Sequence, residues 1–126
     1  MEQKKVYRLN KDDNTAIQLF IKLGMSTNVA KTLIYISQVG ECSSSDIEHG
    51  ANMYQPGVSE ALQELRKRGC VKRQNFKKKR RGRPVCVYKY MADLSEILKV
   101  FEQKKLQELE SAKRDVSKLK SYIACR

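Results

Sequence analysis

The chain is short of the residues from which catalytic and metal centres are built. Among its 126 residues there is one histidine, His49, and no tryptophan. The four cysteines, Cys42, Cys70, Cys86 and Cys125, include no C-x-x-C pair. With a single His beside them they suggest neither a zinc site nor a dense disulfide framework. No Gly-rich phosphate loop and no evident pair of carboxylates is present, so no catalytic residue, metal or cofactor is assigned and an enzyme is not expected. Reduced, semi-buried thiols are the expectation for the cysteines. The cationic surroundings of Cys70 and Cys86 favour thiolate and keep a redox-sensing thiol as an alternative. No apolar run approaches the ~18 residues that a membrane span requires, and Met1 to Asp13 is too polar for a signal peptide. These absences predict a soluble cytoplasmic, nucleoid-associated protein, nuclear only in a eukaryotic source.

Acidic residues are missing from one region altogether. Between Leu65 and Ala92 there is no Asp or Glu, while Arg66, Lys67, Arg68, Lys72, Arg73, Lys77, Lys78, Lys79, Arg80, Arg81, Arg83 and Lys89 all fall there. These are 12 of the 26 Lys and Arg residues, so the rest of the chain balances 14 cations against all 14 acids. The whole excess of +12 is therefore confined to 28 residues, which points to a polyanion as partner. A mass of 14.6 kDa leaves room for one core plus an appendage, and no separate ligand-binding domain or small-molecule effector is evident.

A polar arm is expected over residues 1–13. A first helix follows the Asp12, Asp13, Asn14 cluster, carries Ala16, Ile17, Leu19, Phe20 and Leu23, and stops at Gly24. Ser26 caps a second, from Thr27 to about Gln38, ended by Gly40. Ser43 and Asp46 have the spacing of a capping box, which predicts a short third helix through Ile47. His49 falls on its surface. A fourth helix is bounded by Pro56 and Gly69, with Val58, Ala61, Leu62 and Leu65 as its buried stripe. Two β-patterned runs, 70–74 and 85–90, flank a basic tip and predict a hairpin. From Asp93 to about Ile123 there is no Gly or Pro, which predicts one long helix.

The expected fold class is mainly α with a small β-hairpin (α+β): a winged helix-turn-helix over residues 14–92, followed by a long C-terminal helix over 93–126. The physics suits DNA, because the major groove accepts one α-helix and a hairpin beside it reaches flanking phosphate or the minor groove. Gln55, Ser59 and Gln63 fall at i, i+4 and i+8 and are base-reading candidates, with Tyr54 before them placed for backbone or a thymine methyl. Ser44, Arg66, Lys67, Lys72, Lys77, Lys78, Lys79, Arg80 and Arg81 are candidates for phosphate contact, and Arg83, beside Gly82, for a narrow minor groove. Plain solvated surface explains such a face on an isolated helix; the basic hairpin next to it favours binding. Lys77 to Arg81 also suits a localisation signal or a disordered RNA-binding tail.

The stretch Leu23-Gly24-Met25-Ser26 through Ala30-Lys31, then Ile47, Val58-Ser59-Glu60-Ala61-Leu62 and Leu65-Arg66-Lys67-Arg68-Gly69-Cys70-Val71, followed by Gly82-Arg83-Pro84 and Tyr88, resembles the winged-helix domain of archaeal TrmB-like regulators. It is also similar to the broader MarR-like set. The resemblance covers about Asn14 to Met91 and implies a dimeric transcription factor whose second motif helix reads the major groove. Sugar sensing is not implied, since TrmB-like sugar sensors carry a large C-terminal effector domain and only a helix follows here.

That helix has its own pattern. Leu109, Ala112, Val116, Leu119 and Ile123 follow the 3, 4 alternation of a coiled-coil seam. Leu98 and Phe101 extend it across a stutter through Lys105. Packing on its own domain accounts for Leu94 to Phe101 but not for apolar residues as far as Ile123, so a homodimer is expected, matched to half-sites about 10 bp apart or a multiple. The leading reading is a homodimeric, sequence-specific regulator of transcription on double-stranded DNA. The alternative is an RNA-binding or chromatin-like architectural protein that uses the basic hairpin non-specifically.

Overall fold

The structure, a computed structural model, describes residues 7–76 and 85–126. The chain divides into two compact units, Met1–Asp93 and Leu94–Arg126. The first contains α1 (Lys11–Lys22), α2 (Thr27–Val39), β1 (Glu41–Ser43), α3 (Ser44–Gly50), α4 (Gln55–Lys67), β2 (Val71–Phe76) and β3 (Val85–Tyr90); the second is α5 (Leu94–Ala124).

Helix α1 starts at Lys11, ahead of the Asp12, Asp13, Asn14 cluster it was expected to follow, because Asn10 is the capping residue. Its side chain accepts from the Asp13 amide at 2.9 Å, and the Asp13 carboxylate accepts from the Asn10 amide at 3.0 Å. The same carboxylate accepts from the Tyr7 hydroxyl and from Gln38 Nε2, so Asp13, only 4% exposed, is well supplied with donors. The Leu9 amide donates to the Gly50 carbonyl at 3.1 Å, and the Tyr7 ring tilts against Tyr35. Residues 7–13 are therefore part of the folded unit, a correction to the polar arm read over 1–13. The Asn-x-x-Asp pair, Asn10 and Asp13, overlaps the more conspicuous Asp12, Asp13, Asn14 cluster.

Helix α2 is capped by Ser26, which accepts from the Val29 amide, and ends at Gly40, whose φ of +82° suits glycine. Its consecutive residues Thr32 to Ile36 are all buried, so it is a central helix rather than a one-faced one. Helices α1, α3 and α4 and strands β1 and β3 all touch it. The capping box of α3 is present as expected: Ser43 Oγ accepts from the Asp46 amide and the Asp46 carboxylate from the Ser43 amide. Pro56 falls in the first turn of α4, and Val58, Ala61, Leu62 and Leu65 are its buried residues.

The hairpin strands pair antiparallel from Val71↔Tyr90 to Phe76↔Val85. A third strand, β1, was not expected. It pairs antiparallel with β3 through Cys42↔Tyr88, making the sheet order β1-β3-β2. Three residues next to a helix cap carry too little alternation to announce a strand, and only β3 lying alongside makes them one. No helix among the described residues is long and apolar enough to cross a membrane.

Gly50, the last residue of α3, sits where the packing leaves no room for a side chain. A Cβ there would lie 2.2 Å from the Tyr35 ring and from the Tyr7 carbonyl oxygen. Gly→Ala in a helix ordinarily stabilises. Gly50→Ala is expected to reverse that sign and cost about 1–3 kcal/mol as an overpacking substitution, measured by urea denaturation.

Candidate nucleic-acid interface

The turn between α3 and α4 sets the exposed helix. Asn52 takes a positive φ of 55°, a conformation Asn tolerates, and the Met53 amide returns to the Glu48 carbonyl at 2.9 Å. Helix α4 then crosses close to the start of α2. At Gly57 a Cβ would stand 2.9 Å from Asn28 Nδ2, so the small residue permits the close approach. With its apolar stripe held in the core, α4 turns Gln55, Ser59, Glu60 and Gln63 to the surface.

The structure brings the base-reading candidates together. Tyr54, at the helix cap, is 87% exposed, and Gln55 Nε2 donates to Ser59 Oγ at 3.1 Å. Gln63 continues the stripe into an open concavity of about 770 Å³, shared with Arg66, Lys67, Lys72, Arg73 and Met91. Four cations from the end of α4 and the start of β2 thus border one hollow. Arg68 is differently employed: its Nε lies 2.8 Å from Glu64 in an i, i+4 pair. Ser44 opens α3, half-buried, and does not line this concavity.

Arg73 was not singled out in the sequence, where alternation along a strand assigns only one of Lys72 and Arg73 to any one face. Strand β2 is at the sheet edge, so both can border the hollow. Arg73 Nε also lies 2.8 Å from Cys86 Sγ, and Tyr88 is its cross-strand partner. Burial, followed by the hydrogen bond with Cys86, pushes the Tyr88 phenol up. The remaining wing candidates, Lys77, Lys78, Lys79, Arg80, Arg81 and Arg83, lie outside the described residues. The paired ends Phe76 and Val85 mark where that basic segment leaves and rejoins the sheet.

In α5, Leu98, Leu109, Val116, Leu119 and Ile123 are exposed large apolar residues, and Ala112 is exposed as well. Phe101 differs. It is already buried in the single chain, at 5% exposure, and so is removed from the expected dimer seam. Val100, Leu106 and Tyr122 are also exposed on this helix. They fall off the 3, 4 spacing, which is why the pattern did not select them.

Cys42, Cys70 and Cys125 are free thiols, and among the described residues no cluster of His, Cys, Asp or Glu has the form of a metal site. For Cys70 the redox alternative loses its basis, because burial raises the thiol by more than Arg68 lowers it. Burial also pushes Cys42 up to about 12, and Tyr35 to about 12.

No protein-family model matches the chain, and no curated protein matches it. Its fold is shared by several solved structures. TrmBL2, an archaeal chromatin protein, superposes with a TM-score of 0.57 at 15% identity over 85% of this chain and 41% of that one. The present chain thus spans less than half of that protein. A possible transcriptional regulator from Methanosarcina mazei Go1 gives 0.57 at 11% identity, over 77% of this chain and 83% of that one. NadR, solved with 4-hydroxyphenylacetate, gives 0.53 at 14% identity over 98% and 96%.

Two outcomes follow for the titratable groups. A thiol-reactive probe at neutral pH is expected to label exposed Cys125 first and buried Cys42 last, read by mass spectrometry. The folded chain holds the Cys42 and Tyr35 protons beyond the ordinary values of 9.0 and 10.0. Their contribution is therefore complete below pH 9 and is lost as pH rises toward 12. Cys42→Ala should flatten that alkaline decline in a urea-denaturation series.

Proposed function

We propose that this chain is a homodimeric, sequence-specific regulator of transcription on double-stranded DNA, with α4 in the major groove and the basic segment 75–84 on phosphates or in the minor groove alongside. The observation that carries this reading is the continuity of the α4 surface. An exposed amide and hydroxyl stripe, Gln55, Ser59 and Gln63, runs into a hollow bordered by Arg66, Lys67, Lys72 and Arg73. Amide and hydroxyl side chains read base edges, while guanidinium and ammonium groups hold the backbone without reading sequence. The acid-free run from Leu65 to Ala92 keeps repulsion away from the phosphates. Ser59, hydrogen-bonded to Gln55, holds that amide in a preset orientation, which reduces the ordering cost of a base contact. Lys77, Lys78, Lys79, Arg80, Arg81 and Arg83 supply further phosphate contacts, and Tyr54 contacts backbone or a thymine methyl. No catalytic step is assigned to the chain.

A second reading is favoured by one specific finding. TrmBL2, similar in fold, is a chromatin protein, and a surface dominated by backbone contacts suits architectural binding. The two readings differ in what α4 does. With about four phosphates neutralised by each subunit, log K should fall against log salt with a slope near −7. Replacing Lys77 to Arg81 by Ala should flatten the slope and weaken every duplex alike. An unchanged slope would remove the basic segment from the interface. Gln63→Ala and Ser59→Ala should instead shift the preferred sequence selected from a random duplex pool, by about 1–3 kcal/mol per base pair affected. Equal loss on all duplexes would favour the architectural reading, and preference for duplex RNA at fixed salt would redirect the assignment to RNA.

A further inference from the structure

A second basic hollow lies outside the acid-free run. In the Met1–Asp93 unit, Arg8, Asn14, Lys31, His49 and Asn52 line an open concavity of about 430 Å³. They come from the segment before α1, from α1, from α2, from the end of α3 and from the turn into α4, so only the tertiary fold unites them. The hollow shares no residue with the one at the C-terminal end of α4. Outside Leu65 to Ala92 the chain balances 14 cations against 14 acids in number. In space the balance is broken here, because among the described residues no carboxylate lines the hollow.

The acids close to it in sequence are placed elsewhere. Asp13 is buried and accepts from Tyr7, Asn10 and Gln38, and Asp46 closes the cap of α3. Asp12 and Glu48 do not line the hollow. The carbonyls at the end of α3 are spent as well: those of Ile47, Glu48 and Gly50 accept from the amides of Ala51, Met53 and Leu9 at 2.8, 2.9 and 3.1 Å. An anion entering there meets donors. Arg8 is exposed, but the chain on either side of it is fixed, by the Leu9–Gly50 bond and by the Tyr7 carbonyl packed against Gly50. A cation carried on a fixed backbone loses less freedom on binding.

The donor set selects the ligand. The guanidinium fork, the ammonium, the imidazole and two carboxamides bring N–H groups from several elements at once. Phosphate oxygens point to the corners of a tetrahedron and take donors from several sides, whereas the two oxygens of a carboxylate lie in one plane. We infer that this hollow binds a phosphate group, in a site separate from the α4 surface of the proposed function. The phosphate belongs either to a duplex backbone or to a soluble phosphorylated molecule. Position favours the backbone. The 13 residues of α4 span about 20 Å, and a basic hollow near each end suits phosphates on the two walls of a major groove about 12 Å wide.

The test uses the full chain at constant ionic strength in chloride. Titration with inorganic phosphate, followed by amide NMR, should give saturable shifts at Leu9, Ala51 and Asn52. Arg8→Gln with Lys31→Gln should weaken that binding at least about tenfold. Arg8→Gln alone, at an exposed residue ahead of α1, keeps the test if the substitution in α2 unfolds the chain. Acetate should bind at least about tenfold more weakly than phosphate. A wild-type chain without saturable shifts, phosphate binding unchanged in the variants, or acetate binding as tight as phosphate would overturn the inference. Duplex affinity against salt then names the source. With two cations lost at about 0.9 each, a backbone source flattens the slope by about 1.8 per bound chain, beyond any change in Lys11→Gln with Lys22→Gln, exposed lysines outside the hollow. A soluble source leaves the two double variants alike. Phosphate binding by a chain that ignores duplex DNA would reject the function proposed above and spare this site.

Discussion

The burial of α2 on nearly every side is the constraint on which the first unit depends. Thr32, Leu33, Ile34, Tyr35 and Ile36 are buried in succession, which no helix lying on a core surface achieves. Such a helix must be surrounded, and α1, α3, α4 and two strands supply the cover. Full burial of a Leu or Ile side chain contributes about 1.5–3 kcal/mol, so the cluster of Leu33, Ile36, Ile47, Val58 and Leu65 outweighs any single cap or surface ion pair. Once α2 is enclosed, α4 has one face left for water. The stripe Gln55, Ser59 and Gln63 lies there because Val58, Ala61, Leu62 and Leu65 are claimed by the core.

Charge is segregated along the same division. Acids cap helices and tie down the N-terminal side, with Asp13 and Asp46 both spent in capping boxes. On α4 Glu64 holds Arg68, which does not line the hollow. The cations at the end of α4 and on β2 are thus left without competing carboxylates among the residues that line the concavity. This arrangement favours a ligand that carries many negative charges over one that needs a single counter-ion.

Legibility differed by element, for physical reasons. Capping signals and glycine stops are local chemistry, so α2, α3 and α4 were readable almost to the residue, and the hairpin was readable from alternation around a basic tip. The start of α1 was misplaced because two overlapping polar clusters compete, and the choice between them is supported by Tyr7 just upstream and by Gln38 and Gly50, which are distant in sequence. Strand β1 exists only because β3 lies beside it. The seam of α5 was visible as spacing, yet Phe101 satisfied that spacing while being buried in the single chain. Periodicity reports which face is apolar and cannot say what covers it.

Taken alone, the sequence determined the fold class, the boundaries of α2, α3 and α4, the neutral remainder and the confinement of positive charge to 28 residues. These follow from interactions within a few residues or from simple counting. The tertiary structure decided that Gln63, Arg66, Lys67, Lys72 and Arg73 share one hollow, that Gln55 and Ser59 are joined, that Arg68 is engaged elsewhere and that Cys70 is shielded. Those facts depend on how closely α4 approaches α2 and β2, a distance set by packing across the core and therefore not readable from spacing along the chain.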